Sequence, residues 1–297
     1  MRVLITGATG LVGSALKAHH ESKGDDVSSL VRRTPSGANE IQWSPESASL
    51  DATKLEGFDV VYHLAGENIA GGRWTEARKA RIRDSRIAGT TLISDTLAKL
   101  KSPPSVLVSA SAIGYYGDRG DTVLTENSAP GEGYLPEVSV GWEEATKPAT
   151  EAGIRVVTPR IGIVLTKAGG ALAKMLPPFK MGVGGNVGPG TQYMSWITLK
   201  DLIGVLHHCA TNTDVSGPIN AVAPNAVTNA QFTKALGRSI VRPTIFPMPA
   251  LAARLAFGEM ADALLLASTR VQPQGLRKSG YSFQHTNIDQ ALQSVLA

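Results

Sequence analysis

The chain is poor in several features that mark particular classes of protein. It has one cysteine, Cys209, and aromatic residues make up only 5% of its 297 residues. A single cysteine excludes an internal disulfide framework and suits a reducing compartment. No apolar run approaches the roughly 20 residues of a membrane span. The sequence therefore predicts a cytoplasmic protein with no membrane partner.

Charge of one sign is also scarce. The 29 basic and 25 acidic residues leave a formal net charge of +4, and no block of lysine and arginine is interleaved with aromatic residues. A nucleic-acid partner is therefore not expected. No cluster of histidine, cysteine and carboxylate residues has the spacing of metal ligands, so no metal site is predicted.

Glycine is abundant, with 31 residues, and its most informative cluster opens the chain. The apolar run Val3–Ile5 predicts a short buried strand, and the segment Leu11–His20 predicts an amphipathic helix. Between them lie glycines at a spacing of three. A strand, a tight glycine turn and a helix present backbone N–H groups to the pyrophosphate of a dinucleotide, although the same turn can be purely structural. The predicted cofactor-binding residues here are Gly7, Thr9, Gly10, Leu11, Val12 and Gly13.

Segments typical of strands and helices alternate along the first half of the chain. This alternation predicts an α/β fold, a doubly wound parallel sheet of the Rossmann type. The predicted helices include residues 75–100, 137–152 and 250–267, and the glycine-rich segment 181–190 predicts either a loop that closes over a ligand or a surface turn. We predict a nucleotide-binding domain over residues 1–240, whose segments from about residue 166 belong partly to a substrate lobe. A smaller C-terminal substrate or lid subdomain is predicted over residues 241–297.

The end of the second predicted strand carries information about the nucleotide. NAD-binding folds place an acidic residue there, which bonds the hydroxyls of the adenosine ribose. This chain has Arg32 and Arg33 after Val31 instead, and no carboxylate. Guanidinium groups suit a 2′-phosphate, and the sequence therefore favours NADP(H) over NAD(H), the alternative being a solvated basic turn.

Three motifs together resemble the extended short-chain dehydrogenases/reductases, the NAD-dependent epimerase/dehydratase superfamily. They are Ile5–Gly13, His63–Gly66 and Ser109–Ser111 followed by Gly114–Gly117. Further motifs resemble its little-characterised "epimerase family protein" branch, which carries a small C-terminal domain of unknown function similar to residues 245–297. These motifs are Leu64–Ile69, Arg73-Trp74, Ser85-Arg86, Lys174–Phe179 and Gln192–Ile197.

The resemblance covers essentially the whole chain. It implies an NADP-type cofactor, in agreement with the arginines after the second strand. It also implies that four further residues lie near the nucleotide: Leu64, Ala65, Gly66 and Arg86.

The chain departs from the wider superfamily in its catalytic residues. That superfamily uses a serine or threonine together with Tyr-x-x-x-Lys on one helix, where residues i and i+4 share a face. Here the residue four positions after Tyr134 is Val138 and not lysine. Alignment on Trp142-Glu143 instead places Leu135 and Ser139 at the tyrosine and lysine positions. Neither alignment supplies a lysine.

The remaining catalytic candidates lie at and after the end of a predicted strand, Ser105–Ser109, where ligands of doubly wound sheets bind. Ser111, or Ser109, could bond a substrate carbonyl or cap the strand. Tyr115, or its neighbour Tyr116, could donate a proton or serve only in packing. His63 is predicted to be a satisfied core histidine, and Glu143 and Glu144 are predicted to form a solvated helix face.

Two functions are consistent with these observations. The first is an NADP(H)-dependent oxidoreductase or epimerase-like enzyme that acts on a small molecule, in which the cofactor carries the hydride and the protein orients the substrate. The second is a non-catalytic NADP(H)-binding sensor or regulatory protein, which the missing tyrosine and lysine favour. A monomer or a homodimer is expected in either case.

Overall fold

The computed structural model describes residues 1–297, and its centre is a sheet of nine strands. Six short strands outside that sheet form three small two-stranded sheets. The strands are β1 Arg2–Thr6, β2 Asp26–Val31, β3 Glu40–Ser44, β4 Ser49–Leu50, β5 Val60–His63, β6 Val106–Ser109, β7 Ser111–Ala112, β8 Val123–Leu124, β9 Arg155–Ile161, β10 Ile163–Leu165, β11 Tyr193–Met194, β12 Trp196–Thr198, β13 Gly217–Ala221, β14 Val227–Thr228 and β15 Arg270–Val271.

Eleven α-helices connect and cover these strands. They are α1 Leu11–Ser22, α2 Glu76–Leu97, α3 Tyr134–Glu144, α4 Lys147–Glu151, α5 Gly170–Lys180, α6 Leu199–Thr211, α7 Asn229–Ile240, α8 Ala250–Phe257, α9 Glu259–Ala261, α10 Gln274–Lys278 and α11 Ile288–Leu296. Short 3-10 turns occupy Ala52–Leu55 and Ile113–Tyr116, and a π-helical turn occupies Asp262–Leu266.

The strand order is β4-β3-β2-β1-β5-β6-β9-β13, and β7 pairs with β9 beside β6. Every pairing in the sheet is parallel except that of β3 with β4. After β1 the chain extends the sheet on one side through β2, β3 and β4, and then crosses to the other side of β1 to form β5. The strand order therefore reverses at β1. This reversal is where a doubly wound sheet opens a crevice for a ligand. The predicted fold class is confirmed.

Apolar residues fill both faces of the sheet because alternate residues of a strand point to opposite sides. Val3 and Ile5 of β1 pack in one core with α1 and α6, whereas Leu4 packs in the other core with α2 and α4. The single cysteine, Cys209, is fully buried on α6, and burial raises the pKa of its thiol to about 12. It is therefore a core residue without thiolate character.

The C-terminal part of the chain has a third core. This core joins α5, α7 and α11, and its buried members run from Leu165 to Leu236 and then from Ile288 to Leu292. It therefore crosses residue 240, where the sequence predicts a domain boundary. That boundary stays a prediction.

Two predicted helices are interrupted. The segment predicted as one helix over 137–152 forms α3 and α4, with a break after Glu144 where Pro148 enters the first turn of α4. The helix predicted over 250–267 ends at Phe257 because Gly258 has a φ of +63°, which stops the α-helical path. In both cases the apolar pattern continued through a residue that redirects the backbone.

Candidate nucleotide-binding site

The glycine turn joins β1 to α1 at the point where the strand order reverses. Gly7 has a φ of +67°, which favours glycine, and its carbonyl accepts a 2.9 Å hydrogen bond from the N–H of Gly10. Gly10 caps α1 without a side-chain hydrogen bond, and the first turn of α1 contains no acidic residue. The first N–H groups of α1, including those of Leu11 and Val12, are therefore free for an anion and reinforced by the helix dipole.

Gly13 allows α1 to lie against this turn. A Cβ atom at Gly13 would lie 2.1 Å from the carbonyl oxygen of Gly7, a distance that no side chain can adopt. A Cβ at Gly7 would lie 2.9 Å from the carbonyl of Leu64 on the neighbouring strand connection. These close approaches exclude side chains at both glycines, and we call the backbone turn from Gly7 to Gly13 the cradle.

The segment after β5 forms the second side of the cradle. The hydroxyl oxygen of Thr6 accepts hydrogen bonds of 3.0 Å from the N–H groups of both Leu64 and Ala65. Gly66 follows, and its Cα faces the guanidinium of Arg86, to which a Cβ would approach within 3.4 Å. Arg86 donates hydrogen bonds to the carbonyls of Glu67 and Ile82, and it holds this segment against α2.

His63 anchors the same region from within the core. Its Nδ1 lies 2.8 Å from Thr6 Oγ1, and its Nε2 lies 2.9 Å from Thr90 Oγ1. Because the Thr6 oxygen already accepts two N–H groups, its hydrogen points to Nδ1, and the ring proton is on Nε2. Complete burial lowers the pKa of His63 to about 4, so the ring is neutral at pH 7. The prediction of a satisfied core histidine is confirmed.

This burial predicts acid sensitivity. His63 titrates near 6.5 in the unfolded chain and near 4 in the folded one, so the unfolded state binds the proton more tightly. Titration of His63 therefore leaves the free energy of unfolding unchanged above pH 6.5. As the pH falls from 6.5 to 4, it lowers that free energy by up to about 3 kcal/mol. Urea unfolding of the wild type and of His63→Gln checks this. The variant, which has no ring to protonate, should lose less stability over the same interval, and parallel pH profiles would contradict the assignment.

The two arginines after β2 have different environments. Arg33 donates hydrogen bonds to Glu40 and to the hydroxyl of Ser36, and the Arg33 guanidinium with Ser36 lowers the pKa of Glu40 to about 2. Arg32 is exposed and forms no ion pair. Of the two predicted contacts to the nucleotide, Arg32 thus has the free guanidinium, whereas Arg33 is paired.

The resemblance to the wider superfamily assigns the positions of Tyr-x-x-x-Lys to α3. A Cβ at Gly114 would contact Leu135 at 3.4 Å and Ser139 Oγ at 3.9 Å, so both residues face the turn that follows β7. These are the two positions reached by alignment on Trp142-Glu143. An aliphatic group and a buried hydroxyl therefore occupy this face of α3.

A buried ion pair lies at the carboxyl end of the sheet instead. Arg160, on β9, donates to both carboxylate oxygens of Glu143 at 2.8 Å. Ser111, which pairs with Arg160 in the sheet register, donates to the same carboxylate at 2.6 Å. The side chain of Arg160 is only 3% exposed. Although burial opposes its charge, hydrogen bonding to Glu143 raises the pKa of Arg160 above its usual value. The prediction of Glu143 as part of a solvated helix face is wrong.

Two tyrosines complete this cluster. The guanidinium of Arg160 stacks on the ring of Tyr115 at 3.5 Å from the ring centroid and donates a 2.9 Å hydrogen bond to the hydroxyl of Tyr116. Tyr116 is buried, its hydroxyl lies 2.6 Å from Asn220 Oδ1, and burial raises its pKa to about 12. Tyr115 is only partly buried, and its ring packs edge-on against the ring of Tyr116. The structure thus brings Ser111 and Tyr115 together around Arg160.

The sequence-based prediction did not include Arg160, although one feature of the sequence pointed to it. Arg160 lies within Ile154–Leu165, a largely apolar segment that has the character of a strand. A charged residue within a central strand requires a buried partner of opposite sign. That requirement could have drawn attention to the carboxylates of α3.

Comparisons with known proteins agree with this geometry. The NAD dependent epimerase/dehydratase family matches residues 3–222, and a domain of unknown function (DUF1731) matches residues 248–295. An epimerase family protein of Mycobacterium bovis is 44% identical over 290 residues, which are 98% of this chain and 96% of that protein. The human epimerase family protein SDR39U1 is 34% identical over 300 residues, with full coverage of both chains.

Solved structures give the same result. The crystal structure of human SDR39U1 (isoform 2) with NADPH matches with a TM-score of 0.92 at 32% identity, over 99% of each chain. A nucleoside-diphosphate sugar epimerase from Corynebacterium glutamicum matches with a TM-score of 0.81 at 38% identity, over all of this chain and 58% of that one. The chain therefore belongs to the NAD-dependent epimerase/dehydratase family of NAD(P)-binding proteins, within the group named epimerase family proteins.

Proposed function

We propose that this protein uses NADP(H) in preference to NAD(H), with Arg32 contacting the 2′-phosphate. The observation that carries the proposal is the end of β2, where an exposed, unpaired arginine stands in place of the carboxylate that would bind a ribose hydroxyl. Arg33 supports the turn through Glu40 and contributes less net charge to a phosphate. The NADPH in the structure of human SDR39U1 is consistent with this assignment.

The matched variants Arg32→Ala and Arg33→Ala test this proposal. Loss of a charge-assisted bidentate contact costs about 1.5–3 kcal/mol, so Arg32→Ala should weaken NADPH binding by about 10- to 100-fold and leave NADH binding nearly unchanged. Arg33→Ala should have the smaller effect on NADPH. Fluorescence titration with both nucleotides measures the four changes. An equal loss for NADPH and NADH in Arg32→Ala would refute the assignment.

We further propose that the protein is an oxidoreductase or epimerase-like enzyme that acts on a small molecule, with Tyr115 as its proton-transferring group. When bound, the nicotinamide supplies or accepts a hydride. Tyr115 lies at the carboxyl end of the sheet, where a substrate would meet the nicotinamide, and its ring is held flat against Arg160. Its phenol can give a proton to a carbonyl oxygen or take one from an alcohol.

Ser111 has a different role in this proposal. It is 2% exposed, and its hydroxyl is committed to Glu143. It orients the Glu143–Arg160 pair that positions Tyr115, and a substrate oxygen could receive its hydrogen bond only if Glu143 gave it up. Tyr115 is therefore the candidate for proton transfer, and Ser111 is a positioning residue.

The variants Tyr115→Phe and Tyr116→Phe separate these roles. NADPH oxidation is screened against a panel of carbonyl compounds, and the best substrate is used for kinetics. Tyr115→Phe should lower kcat by about 10²- to 10⁴-fold with NADPH affinity unchanged, as loss of an acid–base group does. Tyr116→Phe, which removes a buried hydroxyl from the same cluster, should chiefly lower stability. Full kcat in Tyr115→Phe would exclude Tyr115 as the proton donor.

A second function, a non-catalytic NADP(H) sensor, is favoured by one observation. Leu135 and Ser139 occupy the face of α3 where an active Tyr-x-x-x-Lys pair would stand. Tight NADPH binding without turnover of any carbonyl in the panel, together with a partner protein released by NADPH, would establish the sensor in place of the enzyme.

A further inference from the structure

Exposed apolar side chains are concentrated on one part of the surface. Eight of the ten large apolar residues that are exposed lie in residues 181–183 and 241–255. Phe246 is 55% exposed and Ile245 is 71% exposed. We call this surface the apolar face, and its eight residues are Met181, Val183, Val241, Ile245, Phe246, Met248, Leu251 and Leu255.

The two segments of the apolar face are joined by backbone hydrogen bonds. The N–H of Met248 donates to the carbonyl of Asn186 at 2.8 Å, and the N–H of Gly188 donates to the carbonyl of Met248 at 2.8 Å. Arg242 also donates from Nε to the carbonyl of Lys180 at 3.0 Å. The backbones of the two segments are therefore adjacent. Exposed apolar residues concentrated in adjacent segments mark an interaction site more often than scattered ones do.

Val241 shows that this exposure carries a conformational cost. It follows α7 with a φ of 54°, and its side chain is 81% exposed. A helix usually places glycine or asparagine at such a left-handed position, because a β-branched side chain is strained there. The chain thus accepts strain at a site where valine gains nothing from burial within the protein.

The segments that carry the apolar face contain basic residues but no acidic ones. Residues 163–200 and 215–258 contain no carboxylate, and their basic residues are Lys167, Lys174, Lys180, Lys200, Lys234, Arg238, Arg242 and Arg254. With 29 basic and 25 acidic residues in all, the rest of the chain has 21 basic and 25 acidic residues. Arg238 and Arg254 pair with Asp289 and Asp262 from outside these ranges. Lys180, Lys234 and Arg242 form no ion pair and lie beside the face.

This combination selects among the occupants of the face. A second copy packed symmetrically would bring this cationic surface against an identical cationic surface, which is unfavourable. An anionic lipid surface accepts both features, because apolar side chains enter the headgroup boundary while lysine and arginine contact anionic headgroups. We propose that the apolar face docks this protein on an anionic membrane surface.

The contact is superficial in kind. No helix of the structure combines the length and the apolar character that crossing a membrane requires. The apolar side chains are presented by a proline-containing loop and the short helix α8, which suits insertion to the depth of the headgroups.

Vesicle co-sedimentation tests this proposal. The wild type should sediment with vesicles of equal parts phosphatidylcholine and phosphatidylglycerol at about 0.05 M salt, and binding should fall steeply at about 0.5 M salt. It should not sediment with phosphatidylcholine alone. The double variant Lys180→Gln/Lys234→Gln should bind about 25-fold more weakly, since each surface cation is worth about fivefold. Ile245→Ser/Phe246→Ser should bind at least about tenfold more weakly.

Matched controls lie elsewhere on the surface. Val123→Ser changes an exposed apolar residue outside the apolar face. Lys147→Gln removes an exposed lysine on α4, which carries no residue of the apolar face. Both should bind vesicles like the wild type, and NADPH titration of every variant reports whether it is folded. Absence of sedimentation, or equal binding to neutral vesicles, would overturn the proposal. A protein dimer that Ile245→Ser/Phe246→Ser abolishes would also overturn it and assign the face to a second copy.

Discussion

Gly13→Ala should abolish tight NADPH binding. The added Cβ would lie 2.1 Å from the carbonyl oxygen of Gly7, so α1 must move away from the turn. That movement withdraws the free N–H groups at the start of α1 from the pyrophosphate. Loss of two hydrogen bonds to a charged group should weaken NADPH by about 100-fold or more. Titration with NADPH measures this, and the melting temperature reports the accompanying loss of packing.

Gly37→Ala is the matched control for this variant. Gly37 is exposed, and a Cβ there meets nothing within 4 Å. Its NADPH affinity and melting temperature should match the wild type. A folded Gly13→Ala protein that keeps wild-type affinity would show that the glycine turn is not the pyrophosphate site.

Of the variants proposed here, Arg160→Leu should lower the free energy of unfolding most. It leaves the Glu143 carboxylate, whose side chain is 15% exposed, with only Ser111 as a side-chain partner. Removal of one member of a buried pair costs about 3–5 kcal/mol, mostly because the other charge loses its compensation. The double variant Arg160→Leu/Glu143→Leu should therefore be more stable than the sum of the two single losses predicts. Urea unfolding of the four proteins gives the coupling energy.

The exposed pair Lys147–Glu151 provides the control cycle. Its side chains are 75% and 66% exposed, and pairs of this kind couple by about 0.5 kcal/mol or less. A coupling of similar size between Arg160 and Glu143 would mean that their carboxylate and guanidinium do not depend on each other. The position proposed for Tyr115 would then lose its support, because Arg160 holds that ring.

The sequence predicted the parts of the molecule that local pattern determines. Gly7, Gly10 and Gly13 follow a short apolar strand, and this order alone indicates the turn because close backbone approach tolerates no Cβ. His63 was predicted as a core residue because it lies in an apolar run, and two threonines satisfy its ring.

The parts that the sequence did not predict depend on contacts between distant segments. Glu143 is mostly shielded from solvent because it pairs with Arg160, which the register of β7 and β9 places opposite Ser111, and no helical pattern in residues 137–152 encodes that register. The apolar face was not predicted from the sequence for a related reason. A search for runs of about 20 apolar residues cannot detect a surface assembled from two short segments.

Nucleotide binding and catalysis are assigned to different parts of the site. The cradle, Arg32 and Arg86 belong to β1, α1, the end of β2 and α2, whereas the surroundings of Tyr115 depend on the buried pair between α3 and β9. Variants in the first group should change nucleotide affinity, and variants in the second group should change turnover and stability. The two proposals can therefore fail independently.

The most direct test of the central claim is a crystal structure of the protein with NADPH. The account predicts the 2′-phosphate within hydrogen-bonding distance of the Arg32 guanidinium, and the pyrophosphate on the backbone N–H groups of Leu11 and Val12. A 2′-phosphate that contacts neither Arg32 nor Arg33, or a pyrophosphate remote from the turn of Gly7, Gly10 and Gly13, would contradict it.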